Sequence, residues 1–197
     1  QIGAQCWMAE NLAYLPLVDS SINISDSTPH YYVYLYEGNN VNTAKSTYHY
    51  QHYGVLYNWA AAMNGEDYSD SVPSGVQGIC PAGWHLPSDE EWKILSGEVD
   101  SYYGYPHYIW NNINYLGGTD AGGNLKQRFY YWQDFVGTTN KYNFSARGAG
   151  KVSASNGFND LFHHTYFWTT SKYHNPELPI IRILHSSNAL ISRSTWV

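Results

Sequence analysis

The fold is decided by residues 78–92, which read GICPAGWHLPSDEEW. Ser88 and Glu91 form the pattern of a capping box, in which the first residue caps a helix and the acid three positions later bonds back to it. The two carboxylates at 89 and 90 fall in the first turn, where they favour the helix dipole. Trp92, Leu95 and Val99 continue as a stripe that faces the core. The sequence therefore predicts a helix that begins just after Ser88.

Other elements are predicted on both sides of this helix. Upstream, an apolar stripe predicts a helix over 55–63, and the Asn-Gly pair that follows tolerates the left-handed conformation of a helix end. The aromatic run 31–36 predicts a strand, and 5–12 predicts a short strand running into a turn. Downstream, the chain predicts short strands and Gly/Asn/Ser loops, with at most a turn of helix within 121–129.

Composition narrows the function classes. The chain has 197 residues, the size of one domain, and a net charge of −6 without a Lys/Arg cluster, which argues against nucleic-acid binding. No apolar run approaches the roughly 20 residues that span a bilayer. Aromatic residues make up 17%, including 20 Tyr, a composition that binding surfaces favour. The start at Gln1 is expected of a processed secreted protein.

Three long blocks, at 2–12, 53–63 and 78–92, resemble the Fibrobacter succinogenes major paralogous domain. Weaker matches follow in the same order at 123–126, 144–146, 166–170 and 182–184. The resemblance implies a single C-type-lectin-like domain over 1–197. That fold is α+β, with two helices packed on short antiparallel sheets, paired N- and C-terminal strands and a long loop-rich region.

The two cysteines depart from this family. Cys6 stands where an apolar residue is usual, and the family's terminal Cys is absent. Because the first and last strands are neighbours in the implied fold, we hypothesise a Cys6–Cys80 disulfide, with two free thiols as the alternative.

Catalytic and metal-binding patterns are weak. Formylglycine-generating relatives of the fold use late cysteines, which this chain lacks after Cys80, and no G-x-S-x-G is present. The pairs His49/His52 and His163/His164 fall short of the three or four ligands of a zinc site. We therefore predict that the protein is not an enzyme and that it holds no cofactor or metal. A calcium-dependent sugar lectin is an alternative, suggested by His174-Asn175-Pro176-Glu177.

The C-terminal segment is the predicted binding face. In a strand over 180–185, Arg182 and Leu184 would face one side, and Ile181, Ile183 and His185 the other. In relatives diversified by retroelements, the corresponding outward positions are Asn codons whose adenines are mutated. The residues at these positions here are among those that such mutation can produce. The predicted ligand-binding residues are Tyr173, His174, Ile181, Ile183, His185, Asn188, Leu190, Ser192 and Arg193.

The resulting prediction is a non-enzymatic ligand- or receptor-binding module of an adhesin or phage tip. It would be extracellular or at a cell surface, and its partner would be a protein or glycan on a cell. A structural subunit of an extracellular filament or surface assembly, which would self-associate, is the other alternative.

Overall fold

The computed structural model describes residues 1–174 and 177–196. It has an α+β architecture in which short helices precede most of the strands. The α-helices are α1 (Val41–Lys45), α2 (Tyr48–Tyr53), α3 (Trp59–Met63), α4 (Asp89–Val99) and α5 (Ala121–Leu125), with a 3-10 helix at Tyr108–Asn111. No helix in the described ranges is long and apolar enough to cross a bilayer.

The strands within the described residues form two sheets. They are β1 (Tyr31–Tyr32), β2 (Leu56–Tyr57), β3 (Tyr115–Gly117), β4 (Ala149–Ser153), β5 (Gly157–Leu161), β6 (His164–His174), β7 (Glu177–His185) and β8 (Ile191–Thr195). The first two pair with each other, and the rest form a sheet in the order β3-β8-β7-β6-β4-β5. Every neighbouring pair in that sheet is antiparallel except β4 and β6.

Helix α4 is held at its first turn by the predicted capping box. The Ser88 hydroxyl accepts a hydrogen bond from the Glu91 N–H at 3.2 Å, and the Glu91 carboxylate accepts one from the Ser88 N–H at 2.9 Å. The same carboxylate accepts hydrogen bonds from the Ser74 N–H and the His85 ring at 3.1 and 2.7 Å. One side chain therefore joins the helix start to the loop before it.

A buried carboxylate joins α4 to the large sheet. Asp89 lies 2.6 Å from the Arg182 guanidinium and 2.9 Å from that of Arg193, and Arg182 is 1% exposed. Burial raises the pKa of the Asp89 carboxyl, but the charges of Arg182, Arg193 and Lys93 outweigh burial and hold it below its usual range. Since β7 and β8 supply the two arginines, this contact fixes the helix on those strands.

Two apolar clusters make up the core of the described part of the chain. The larger is centred on Trp92, Leu95, Trp110, Trp132 and Leu184 and lies between α4 and the inner face of the large sheet. The smaller is built from the β1–β2 region and the first helices. The two clusters border a cleft that residues of both clusters line.

Several predicted elements differ in the structure. The predicted helix over 55–63 begins at Trp59, because the Asn58 side chain caps it and residues 56–57 pair with β1; its left-handed end at Asn64 is confirmed. The strand over 31–36 stops after Tyr32, because the Tyr36 N–H bonds to the Val33 carbonyl and closes a turn.

For the described residues, the predictions of an N-terminal strand and of its pairing with the C-terminal strand are wrong. Residues 5–12 form no strand, and a single bridge joins Ile2 and Gln5. Strand β8 pairs with β7 and β3 instead. The predicted turn of helix within 121–129 is confirmed as α5, and the predicted strand over 180–185 lies within β7.

Candidate functional site

The register of β6, β7 and β8 sorts the C-terminal residues between two faces. His185 pairs with His164, and Ile183 pairs with Tyr166 and Ser192, so these side chains share the outer face. Residues 180, 182 and 184 are buried on the inner face. The predicted alternation around Arg182 is therefore confirmed.

The outer face presents a half-buried group of residues. The six are His164, Tyr166, Ile183, His185, Ser192 and Trp196, which we call the outer patch. His185 Nε2 lies 2.7 Å from the Ser192 hydroxyl, and its ring meets that of His164 edge-on at 4.9 Å. Burial, followed by the charges of His164 and Lys126, lowers the pKa of His185 to about 4. Its imidazole is therefore neutral at physiological pH.

A polar rim borders this patch on the β4–β5 side. The Tyr166 hydroxyl donates to the Asp160 carboxylate at 2.6 Å, and burial, then this carboxylate, raises the pKa of Tyr166. Lys151 lies 3.6 Å from the same carboxylate and 5.4 Å above the centre of the Trp196 ring. The sequence analysis did not identify any of these residues, Lys151, Asp160, Tyr166 and Trp196, as part of the site. Asp160, which connects Tyr166 and Lys151, has a left-handed backbone conformation that no local sequence pattern predicts.

The loop at the end of the patch is held by a buried cation. Lys126 Nζ donates to the carbonyl oxygens of Val136, His185 and Asn188, each at 2.8 Å. Burial lowers the pKa of Lys126 to about 8, against the opposing effect of Asp134. The ammonium thus ties β7, the turn that follows it and a distant loop together.

Helix α5 approaches the same turn closely. A Cβ at Gly122 would lie 2.1 Å from the Leu190 carbonyl oxygen, so only glycine fits there. Within the turn, the Asn188 side chain accepts a hydrogen bond from the Leu190 N–H at 2.9 Å. The backbone of both predicted ligand-binding residues is thereby fixed next to the outer patch.

The structure does not bring all the predicted site residues together. Tyr173 is 38% exposed and His174 is also exposed, but they lie at the far end of the β6–β7 hairpin, where Tyr173 pairs with Leu178, about 23 Å along β7 from His185. Ile181 is 3% exposed and offers a ligand no surface. Arg193 turns to the inner face and binds Asp89. The residues at positions 183, 185, 188, 190 and 192 cluster at one end.

The hypothesis of a disulfide is wrong in this structure. Cys6 and Cys80 are both free thiols, the first exposed and the second half-buried. The hypothesis assumed that the first strand lies beside the last one, whereas β8 has β3 and β7 as its neighbours. Burial raises the pKa of Cys80 to about 11, so its thiol stays protonated.

The histidine pairs have other contacts. His52 lies on α2 with its ring stacked 3.9 Å from that of Tyr48 and its Nδ1 2.9 Å from the Tyr48 carbonyl oxygen. Residues 1–174 and 177–196 contain no group of three or more His, Cys, Asp or Glu arranged to hold a metal. Of the suggested calcium tripeptide, Asn175, Pro176 and the side chain of Glu177 lie outside the described residues.

Fold and site together define an α+β domain that presents an aromatic sheet face beside a clamped turn. The sequence model of the Fibrobacter succinogenes major domain matches residues 1–194, and the chain belongs to that family. No curated protein and no solved structure was found to match it.

Proposed function

We propose that this protein is a non-enzymatic extracellular binding module with a C-type-lectin-like fold, and that it binds a protein or glycan of a cell surface. The outer patch carries the proposal. It combines aromatic rings, an aliphatic side chain and uncharged polar groups on three adjacent strands and at Trp196, just past the end of β8. Such amphipathic, rigid groups provide contact area at low entropic cost.

The surroundings favour recognition of an uncharged surface. His185 is neutral at physiological pH, and the nearby carboxylate of Asp160 is neutralised by Lys151 at 3.6 Å. The Lys126 clamp keeps the adjoining turn in place before a ligand arrives. Preorganisation of this kind lowers the entropic cost of binding.

The contacts of the reactive groups favour binding over catalysis. A nucleophilic cysteine needs a lowered pKa, whereas burial raises that of Cys80. His85 is bonded to Glu91, whose carboxylate also caps α4. This histidine thus helps to hold the carboxylate that caps α4.

The test compares the native chain with Ile183→Asp and Ser192→Arg, which place charge in the outer patch. Ile22→Asp is the matched control, because Ile22 is 85% exposed and lies outside the patch. Labelled proteins are applied to a glycan array and to a panel of intact cells, and far-UV circular dichroism checks folding. We expect both patch variants to lose binding at least about tenfold, since one uncompensated charge in an interface costs several kcal/mol.

Failure of the native chain to bind any glycan or cell in the panel contradicts the proposal, as does unchanged binding by both patch variants. Size-exclusion chromatography over a range of concentrations accompanies the assay. Self-association that Ile183→Asp abolishes would instead identify the protein as a subunit of an extracellular assembly.

A further inference from the structure

A small pocket lies between helix α4 and the segment that follows it. Its volume is about 220 Å³, and it is lined by Glu90, Lys93, residues 105–108 and Asn111. Pockets that hold drug-sized ligands have roughly 300–1,000 Å³, so this one has room for a single ring of a small molecule. No residue of the outer patch lines it, and neither does any residue of the turn beside that patch.

Three side chains of the pocket bring their polar groups together. The Tyr105 hydroxyl donates to the Glu90 carboxylate at 2.5 Å, and the Lys93 ammonium donates to the other oxygen of that carboxylate at 3.0 Å. Burial raises the pKa of Glu90, but these two bonds and the charge of Lys93 outweigh burial and hold it below its usual range. A carboxylate can accept about four hydrogen bonds and an ammonium can donate three, so both groups have capacity left for a ligand.

The charged groups of the pocket are paired. Glu90 pairs with Lys93. The neighbouring Asp89 pairs with Arg182 and Arg193. A cationic ligand would meet the Lys93 ammonium and an anionic ligand the Glu90 carboxylate, so neither would gain from an uncompensated charge. The pocket therefore favours a neutral ligand with several hydrogen-bonding groups.

Aromatic rings form much of the rest of the pocket. Tyr108 is 72% exposed, and its ring centroid lies 4.6 Å from that of His107. Such rings pack against the apolar C–H face of a sugar ring, while each hydroxyl group of the sugar can both donate and accept. Neighbouring hydroxyls of a sugar lie about one hydrogen-bond length apart, as do the Glu90 oxygen and the Lys93 nitrogen.

The aromatic segment is held in place before any ligand binds. A Cβ at Gly97 would lie 2.5 Å from the Tyr105 nitrogen, so only glycine lets α4 and this segment come so close. The Trp110 indole donates to the Gly104 carbonyl oxygen at 3.1 Å, and the Trp110 ring is buried in the larger core cluster. Because the backbone of this segment is already ordered, little of its conformational entropy is lost when a ligand binds.

We propose that this pocket binds one neutral sugar residue through the side chains of the protein itself. Two adjacent hydroxyl groups of the sugar bond to the Glu90 carboxylate and the Lys93 ammonium, and its C–H face packs on Tyr108. The inference concerns a second site and does not depend on the outer patch.

The test measures binding of methyl pyranosides to the full chain by saturation-transfer difference NMR, with EDTA present so that calcium is not required. The panel holds the methyl glycosides of glucose, galactose, mannose, fucose and N-acetylglucosamine. We expect at least one to bind with a Kd on the order of 1 mM, as is usual for a ligand of about a dozen heavy atoms. A deoxy analogue that lacks one of the two adjacent hydroxyls should bind about ten times more weakly, the effect of one hydrogen bond to a charged group.

Matched variants locate the bound sugar. Tyr108→Ala removes an exposed ring of the pocket and should weaken binding about five- to tenfold. Tyr115→Ala removes a ring that is 69% exposed but lies outside the pocket, and should change binding less than about twofold. Glu90→Gln should weaken binding about tenfold, since a carboxylate accepts stronger hydrogen bonds than an amide. Glu98→Gln, at an exposed position of the same helix, is its control, and circular dichroism checks the folding of all four.

The proposal is overturned if no pyranoside binds the native chain, or if Tyr108→Ala and Glu90→Gln bind the sugar as well as the native chain does. Tighter binding of tetramethylammonium or of glucuronate than of every pyranoside would also reject it, because the pocket would then select a charge. Loss of pyranoside binding in Ile183→Asp but not in the pocket variants would place the sugar at the outer patch. That result would reject the pocket while supporting the proposed function.

Discussion

Replacement of Asp89 by Asn tests the buried contact that joins α4 to the sheet. The side chain keeps its size and one acceptor oxygen but loses its charge, which leaves the Arg182 guanidinium, 1% exposed, without a carboxylate. Breaking a buried ion pair by removing one partner costs about 3–5 kcal/mol, because the remaining charge is uncompensated. We expect a loss of this size in the free energy of unfolding.

The measurement is urea unfolding followed by tryptophan fluorescence, with an unchanged dependence on urea as evidence of two-state behaviour. Glu90→Gln is the matched control: it also removes a carboxylate from the first turn, but this one pairs with Lys93 at the surface and should cost less than about 1 kcal/mol. Adding Arg182→Met to Asp89→Asn should restore part of the lost stability, since no orphaned charge is then buried. A loss in Asp89→Asn no larger than in Glu90→Gln, or no recovery in the double variant, would refute the reasoning.

Three further predictions concern the turn beside the outer patch. Lys126→Met leaves three carbonyl oxygens without their donor and should cost about 2–4 kcal/mol in urea unfolding, against less than about 0.5 kcal/mol for Lys45→Met on an exposed helix end. The pKa of His185 falls from 6.5 to about 4 on folding, so between these values the unfolded chain binds the extra proton and stability falls as the pH is lowered. Thermal unfolding across this pH range should show that the native chain loses about 1–2 kcal/mol of unfolding free energy, after allowance for the partial exposure of His185, and that His185→Gln does not. Parallel plots of stability against pH for the two proteins would contradict this prediction. Gly122→Ala should cost at least about 2 kcal/mol of stability, because the new Cβ meets the Leu190 carbonyl. A Cβ at Gly104 meets no atom, so Gly104→Ala should change stability by less than about 0.5 kcal/mol. Equal effects of the two substitutions would rule out the close contact at Gly122.

Local signals made much of the helical part predictable. The capping box at Ser88 and the left-handed end at Asn64 involve groups within three or four residues of each other, and both occur as expected. Helices α1 and α2 were not predicted, since five or six residues are too few for an apolar stripe to repeat. Their caps at Asn40 and Thr47 were visible signals, but such residues also begin many turns.

The site was less predictable because its geometry is tertiary. Strand alternation correctly placed Ile181 and Ile183 on one face, but it could not show that only Ile181 is buried. Tyr173 and His185 are close in sequence, yet the hairpin places them at opposite ends of its two strands. Asp89 was explained by its position in the first turn alone, since its arginine partners follow 93 and 104 residues later.

The place of β8 in the sheet has a consequence for the order of folding. This strand lies between β3 and β7, so the sheet stays split into two parts until residues 191–195 have been synthesised. The strand also brings Arg193 to Asp89, a contact that spans 104 residues and carries a large loop-closure cost. During synthesis, β3 and β7 therefore expose unpaired edges, and the nascent chain is most open to misassociation just before β8 emerges.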